Sequence, residues 1–272
     1  MNQDFKKTLP PAVRFKKPPE RLIAGKPLFI ADAGYKEIRG DLHTGFINTL
    51  KTALKKIPWL YSFIFYFVAP AIFLGKQPKD LFKYVPRGAL VLEIGSGNRR
   101  LHPEIVNVDI YPWEMVDVLA DAHDLPFADN SVDGVIFAWV LEHMKDPVQV
   151  AKEIHRVLKP GGVLYLSTNF ITPYHPSPKD YYRLTADGLR ALFKYFEMLE
   201  MKPDVGPTCA LLSVFQEWVA LAFSFGNKFL KDLIWMTMVI LTSPFKIIDY
   251  LLIHHPAAET ITAGFSFIAR KK

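Results

Sequence analysis

The 272-residue chain can hold one large domain, or a core of about 150 residues with extensions. Half of its residues are apolar and 14% are aromatic, which excludes a disordered chain. The single cysteine, Cys209, excludes an intrachain disulfide and a zinc ribbon and suits a reducing compartment, while the net charge of +6 is concentrated at Lys6, Lys7, Arg14, Lys16 and Lys17 and again at Lys51, Lys55 and Lys56.

The opening residues, MNQDFKKTLPPAVRFKKPPE, lack the apolar stretch of a secretory signal, and residues 1–27 read as extended or loose. Residues 28–56 read as irregular structure followed by a helix with Ile47, Leu50, Leu54 and Ile57 on one face. The uncharged run 57–75 approaches the length of a membrane span, but Pro58 and Pro70 break it. An interfacial segment, a true span and a soluble lid all remain open for it. Basic clusters beside apolar runs suit anionic lipid, and equally a solvated face.

From Gly88 onward strands alternate with helices. ALVLEI (89–94), IVNVDI (105–110), MVDVLA (115–120) and VDGVIFAW (132–139) are four strands. A helix follows, with Asp146 as N-cap, Pro147 at the first position and Val150, Ile154, Val157 and Leu158 as its buried stripe. Pro160, Gly161 and Gly162 stop it, and GVLYLST (162–168) is a fifth strand. Thr185 caps a helix over 186–195, and FEMLEMK (196–202) is a sixth strand. Residues 203–258 form an apolar helical insertion, and residues 259–272 supply a seventh strand that closes the sheet. The expected divisions are therefore 1–84, 85–202, 203–258 and 259–272. The pattern implies a parallel sheet with helices on both faces.

The chemistry lies in the order strand, glycine loop, acid. Glu93 ends the first strand of the core and leads into Gly95-Ser96-Gly97-Asn98, where glycines let a ligand approach the backbone. Asp109 ends the next strand, where a carboxylate can accept both hydroxyls of a ribose. Asp121 follows the third strand, within reach of an adenine edge. Together these residues describe a nucleoside pocket. A dinucleotide fingerprint is not met: Arg100 stands where its third glycine would fall, and Asp109 comes too soon.

VLEIGSGN, VNVDI, ADAHDLPFADNSVDGVI and WVLEHMKDPVQVAKEIHRVLKPGG, in that order over roughly residues 88–200, resemble the class I methyltransferases, specifically the type-11 family related to quinone-biosynthesis methyltransferases. The resemblance implies a Rossmann-like seven-stranded α/β sheet and S-adenosyl-L-methionine as cofactor. It implies that Glu93, Gly95 and Gly97 line the methionine and ribose side, that Asp109 binds the ribose, and that Ile110 packs on the adenine. Asp121 and Ala122 would border the base, and Trp139 would approach the methionine part. Arg99 departs from the family pattern, standing where a further glycine is usual. Glu93 serves equally as an anchor for the loop.

An alcohol acceptor needs a general base. The loop after the fifth strand, TNFITPYHPSPKDYYRLT (168–185), is similar to a segment in a bacterial subgroup of the family linked to glycan and cell-envelope pathways. Within it His175 is the expected base, with His143 as second candidate, and Asp180, Tyr181, Tyr182 and Arg183 are expected to bind the acceptor. The competing readings are an Asp180–Arg183 ion pair that pins the loop, and a Glu142-His143 pair that merely bridges a helix end to it. No metal is expected. The apolar segments at 57–75 and 210–245 suggest a peripheral enzyme on the cytoplasmic face of a membrane, acting on a small or lipid-linked acceptor such as a glycan hydroxyl or a quinone-like precursor. A soluble helical cap is the alternative. A non-catalytic membrane scaffold and a protein or nucleic-acid methyltransferase also stand. Nucleic acid is not the expected partner, because Ala138-Trp139-Val140-Leu141 replaces a Pro-Pro-Tyr-type catalytic tetrapeptide. No oligomeric state follows from the sequence.

Overall fold

The computed structural model describes residues 9–31 and 71–272. The helix expected near Ile47–Ile57, most of the apolar run 57–75, and Lys6, Lys7, Lys51, Lys55 and Lys56 lie outside the described residues.

The core strands are β3 (Val91–Ile94), β4 (Val106–Asp109), β5 (Val118–Leu119), β6 (Val132–Ala138) and β7 (Leu158–Asn169), all parallel to one another. Two more, β8 (Phe196–Val205) and β9 (Gly264–Lys271), follow β7 in the chain, and β9 lies antiparallel between β7 and β8. Among the described residues the sheet has nine strands rather than seven, because the N-terminal segment expected to be loose adds a hairpin, β1 (Arg21–Ile23) and β2 (Lys26–Leu28). Its turn is Ala24-Gly25, both at positive φ (50° and 77°), the geometry of a tight two-residue hairpin. Leu28 continues the sheet against Leu119, and Phe15 bridges Phe127. The full order is β1-β2-β5-β4-β3-β6-β7-β9-β8.

From β3 the chain steps outward through β4 to β5, then returns across β3 to β6. That reversal puts the topological switch point at the carboxyl ends of β3 and β6, where open α/β sheets bind ligands. Alternate strand residues bury two faces. Leu92, Val135, Phe137, Leu164, Leu166, Phe265 and Phe267 meet α1 (Pro147–Val157) and α2 (Ala186–Leu192) on one side. Val91, Ile136, Val163, Tyr165 and Ile268 face the 3-10 turn Pro78–Lys83 on the other.

Asp146 caps α1 as expected, accepting from Gln149 N at 2.9 Å, and Val150, Ala151, Ile154 and Val157 are buried. The end of that helix differs from expectation. It passes straight into β7 at Leu158, and Pro160-Gly161-Gly162 lie inside the strand at a register shift against β6. No helix separates β3 from β4 among the described residues. Arg100 braces this short crossover, donating to the carbonyls of Ile105 and Met115 and to Asp117, all at 2.8 Å.

The insertion before β9 is an antiparallel pair, α3 (Pro207–Ser224) and α4 (Lys228–Thr242), followed by the short α5 (Asp249–Leu252). Phe225-Gly226, both at positive φ, make the turn, and Asn227 caps α4. Gln216 donates to Thr242 Oγ1 at 2.7 Å between the two helices. The buried carboxylate of Asp249 accepts from Thr208 N and Cys209 N at 2.7 and 2.8 Å, satisfying the start of α3. Many apolar side chains of this insertion face outward, including Trp218, Phe225, Phe229, Leu241, Ile247 and Leu251.

Candidate active site

Two constellations share the sheet edge formed by the carboxyl ends of β3, β4, β6 and β7. The first is the glycine loop. Gly95 adopts φ 72°, and a Cβ there would overlap the Val140 side chain, so only glycine lets the loop close on the segment after β6. Gly97 adopts φ 59° with open space where a Cβ would project. Its N–H donates to Asp109 Oδ2 at 2.8 Å, and Tyr111 N donates to Oδ1 at 2.9 Å. The expected meeting of the glycine turn with the acidic tip of β4 is thus made by a direct hydrogen bond. Burial raises the Asp109 carboxyl above its ordinary range, against the pull of these N–H groups.

Glu93 is 1% exposed. Its Oε1 accepts from Arg99 Nη2 at 3.0 Å and Nε at 3.2 Å, whereas Oε2 is buried with no hydrogen-bond partner among the described residues. Burial pushes its carboxyl up, opposed by the Arg99 charge. Asp121 turns back on its own loop, accepting from His123 N at 2.9 Å, while Ala122 is buried. Ile110 packs with Leu28, Ile30 and Val116. Trp139 holds φ 60°, a strained conformation for a bulky residue, and sets its ring edge-on to Phe73 at 5.2 Å, over Gly264.

The second constellation is the loop after β7. The carboxylate of Glu142 is fully buried, accepting from Thr168 Oγ1 at 3.0 Å and Asn169 Nδ2 at 2.5 Å. Its backbone carbonyl accepts from Tyr181 N at 2.7 Å. His143 Nδ1 lies 2.7 Å from Lys179 O. His143 and His175 stand edge to face, with ring centroids 5.1 Å apart. His175 N donates to Asp180 Oδ2 at 2.9 Å, and its ring Nδ1 is 3.4 Å from the same oxygen. Arg183 grips Asp180 with two bonds, Nη1 to Oδ1 at 2.5 Å and Nη2 to Oδ2 at 2.6 Å. This pair holds the Asp180 carboxyl below its ordinary range although burial opposes it. Burial also holds His175 below the ordinary imidazole value, against the raising effect of Glu142 and Asp180.

The structure thus brings His143 and His175 together and turns Asp180 and Arg183 inward on each other. The rings of Tyr181 and Tyr182 remain exposed. Sequence reasoning missed Arg99 as partner of Glu93, and Thr168 and Asn169 as partners of Glu142. A polar pair at the end of an otherwise apolar buried strand is the signal that could have found the latter two.

The residues fit the cofactor. Among the described residues a buried carboxylate oxygen on Glu93 lacks a partner, and Gly97 leaves open space where a Cβ would project. A family profile described as "Methyltransferase domain" matches residues 92–166. An uncharacterized methyltransferase of Mycobacterium sp. (strain KMS) is 30% identical over 204 residues, covering 62% of this chain and 80% of that protein. A demethylmenaquinone methyltransferase of Symbiobacterium thermophilum is 33% identical over 84 residues, 30% of this chain and 34% of that one. Among solved structures, geranyl diphosphate C-methyltransferase from Streptomyces coelicolor aligns at a TM-score of 0.43 with 13% identity, covering 72% of this chain and 77% of that one. The chain belongs to the class I S-adenosylmethionine-dependent methyltransferases, within the type-11 family. Its cofactor is S-adenosyl-L-methionine.

Proposed function

We propose that the protein methylates a small or lipid-linked acceptor at a membrane surface, with a glycan hydroxyl or a quinone-like precursor as the acceptor class. The observation that carries the reading is His175, backed by Asp180 and standing on the same sheet edge as the Gly97–Asp109 clamp. The name of the Symbiobacterium relative, a demethylmenaquinone methyltransferase, favours the quinone-like class.

In this reading Glu93, Gly95 and Gly97 line the methionine and ribose side of the cofactor, and Asp109 takes the ribose hydroxyls. Ile110, Asp121 and Ala122 border the adenine, and Trp139 borders the methionine part. When bound, the cofactor supplies an electrophilic methyl group on a sulfonium. What remains for the protein is alignment, exclusion of water and removal of the acceptor proton. His175 Nε2 releases its contact from the Asn169 amide and takes that proton, while Asp180 orients the ring and stabilises the imidazolium, itself fixed by Arg183. His143 packs against His175 and is the second candidate. Tyr181 and Tyr182 offer exposed rings for an acceptor to lie on.

The membrane setting rests on the α3–α4 insertion. Lys228–Leu252 is long and apolar enough to cross a bilayer by length and composition, and only 22% of its most apolar window is buried in the protein. Lys228 stands at the start of α4, suited to anionic headgroups, while Lys231 pairs with Glu217 of α3. The test is transfer of labelled methyl from the cofactor into a cell extract, followed by separation into lipid, glycan, protein and nucleic-acid fractions. Label in the lipid or glycan fraction supports the proposal, and label confined to protein or nucleic acid contradicts it.

A further inference from the structure

We propose that Glu142, His143 and His175 form a binding site for a divalent ion of the zinc class, and that this ion competes with the acceptor proton for His175 Nε2. The site stands on geometry alone; the competition rests on the reading of His175 as base.

One donor atom from each residue lies within 4.8 Å of those of the other two. Glu142 Oε1 and His175 Nε2 are already 3.8 Å apart. Zinc bonds of about 2.0–2.2 Å bring ligands still closer together. The remaining closure falls to the half-exposed His175 side chain, whose Nε2 exchanges its 3.2 Å contact from the Asn169 amide for the ion.

The neighbours aim the right nitrogens. His143 Nδ1 faces the Lys179 carbonyl, which can only accept, so that nitrogen carries the proton and Nε2 is left with its lone pair. For His175 the same result follows in two steps. Asn169 Nδ2 lies 2.5 Å from Glu142 Oε1, which fixes it as a donor, and it is also 3.2 Å from His175 Nε2. Nε2 therefore accepts, and the Nδ1 proton faces Asp180 Oδ2. Arg183 Nη2, 3.5 Å from the same Nδ1, already spends its hydrogens on Asp180 Oδ2 and on the Pro173 carbonyl at 3.0 Å. Both histidines thus present Nε2 with an oxygen acceptor behind Nδ1, the outer-shell arrangement that orients metal-binding imidazoles.

Charge points the same way. The Glu142 carboxylate is fully buried, and among the described residues His175 is the only basic side chain recorded within 4.0 Å of it. A carboxylate taken out of water gains from a cation beside it. Two imidazoles and one carboxylate favour zinc, cobalt or nickel over magnesium or calcium, and leave a fourth position open. One Nε2 lone pair cannot hold an ion and accept a proton together, so occupancy withdraws the base.

The test uses the full chain stripped with chelator and desalted. Zinc is titrated against a chromophoric chelator, and cobalt(II) is followed by its visible spectrum. Wild type is expected to take up one ion per chain, with cobalt showing four-coordinate band intensity. Affinity should fall at least about tenfold in His143→Ala and in His175→Ala, as it does even when an outer-shell partner is lost. Binding that is unchanged in both variants, or absent from wild type, overturns the site. Methyl transfer separates the two claims. Turnover by the chelated enzyme, inhibited by zinc at the concentration that fills the site, supports the competition. A chelated enzyme that is inactive until zinc is added overturns the competition and the base reading, while the ion site stands. His175-dependent turnover without any zinc binding overturns the site and leaves the base reading intact.

Discussion

His175 is held at both ends of its imidazole, by Asp180 at Nδ1 and by Asn169 at Nε2, so replacing it removes a group whose orientation the whole loop maintains. His175→Ala is expected to lower turnover by about 10²–10⁴-fold, the usual worth of a general base, while cofactor affinity measured by titration stays within twofold of wild type, about 0.4 kcal/mol. Normal turnover would dismiss His175 as base. The pH dependence has a definite sign. Burial holds this imidazole below its ordinary value, so the unprotonated form prevails at neutral pH. The kcat/KM profile should therefore rise with pH along an acid limb lying below about pH 6.5, then level off. In His175→Ala that limb should vanish.

The residue contacts were legible to different degrees. Gly97 and Asp109 could be paired from sequence because a glycine turn after one parallel strand and an acid at the tip of the next share an edge. Arg99 could not be assigned, because a long side chain reaching back six residues to Glu93 leaves no local pattern. Asp180 and Arg183, three residues apart, were readable either as a pinning ion pair or as acceptor ligands. The structure shows the ion pair, and the acceptor role remains proposed.

Among the elements, the insertion depends on Asp249, which caps α3 from a different element. Asp249→Ala should cost about 1–2 kcal/mol, the range for a lost N-cap, read by denaturant unfolding. Cys209 reports the same contact. Burial beside Asp249 pushes its thiol up to about 12, so alkylation at pH 8 should be slow in wild type and faster in the variant. Equal rates would mean that α5 does not seal the start of α3. The outward face of the insertion makes a separate prediction. Trp218→Ser combined with Phe229→Ser should weaken pelleting with anionic vesicles several-fold while the unfolding midpoint stays near wild type, because both side chains are exposed. Pelleting unaffected by the pair would remove this face as the membrane contact. Short or irregular elements were the ones the sequence concealed. Three-residue strands around Ala24-Gly25 carry too few residues to show alternation. Pro160-Gly161-Gly162 reads as a helix stop, yet the strand absorbs it as a bulge. Pro203 sits in β8, which the sequence ended at 202, because an edge strand tolerates a missing N–H.

At the scale of the molecule, the order of motifs carried most of the fold. Four apolar strands with glycine and acid at their tips, a capped helix and a final strand after an insertion specify a sheet that reverses direction beside β3. One of its edges was not specified, since β1 and β2 add strands that no family motif announces. The reversal brings the Gly97–Asp109 clamp and the His143–His175 pair to one rim of the sheet, joined by the Trp139–His143 segment that packs against Gly95.

The most direct measurement is isothermal titration of S-adenosylmethionine into the wild-type chain and into Asp109→Ala. Saturable binding by wild type, weakened at least about tenfold in the variant, is expected if the buried Asp109 carboxyl is the ribose partner proposed above. Equal affinity in the two proteins, or no binding by wild type, would contradict the cofactor site described for this sheet edge.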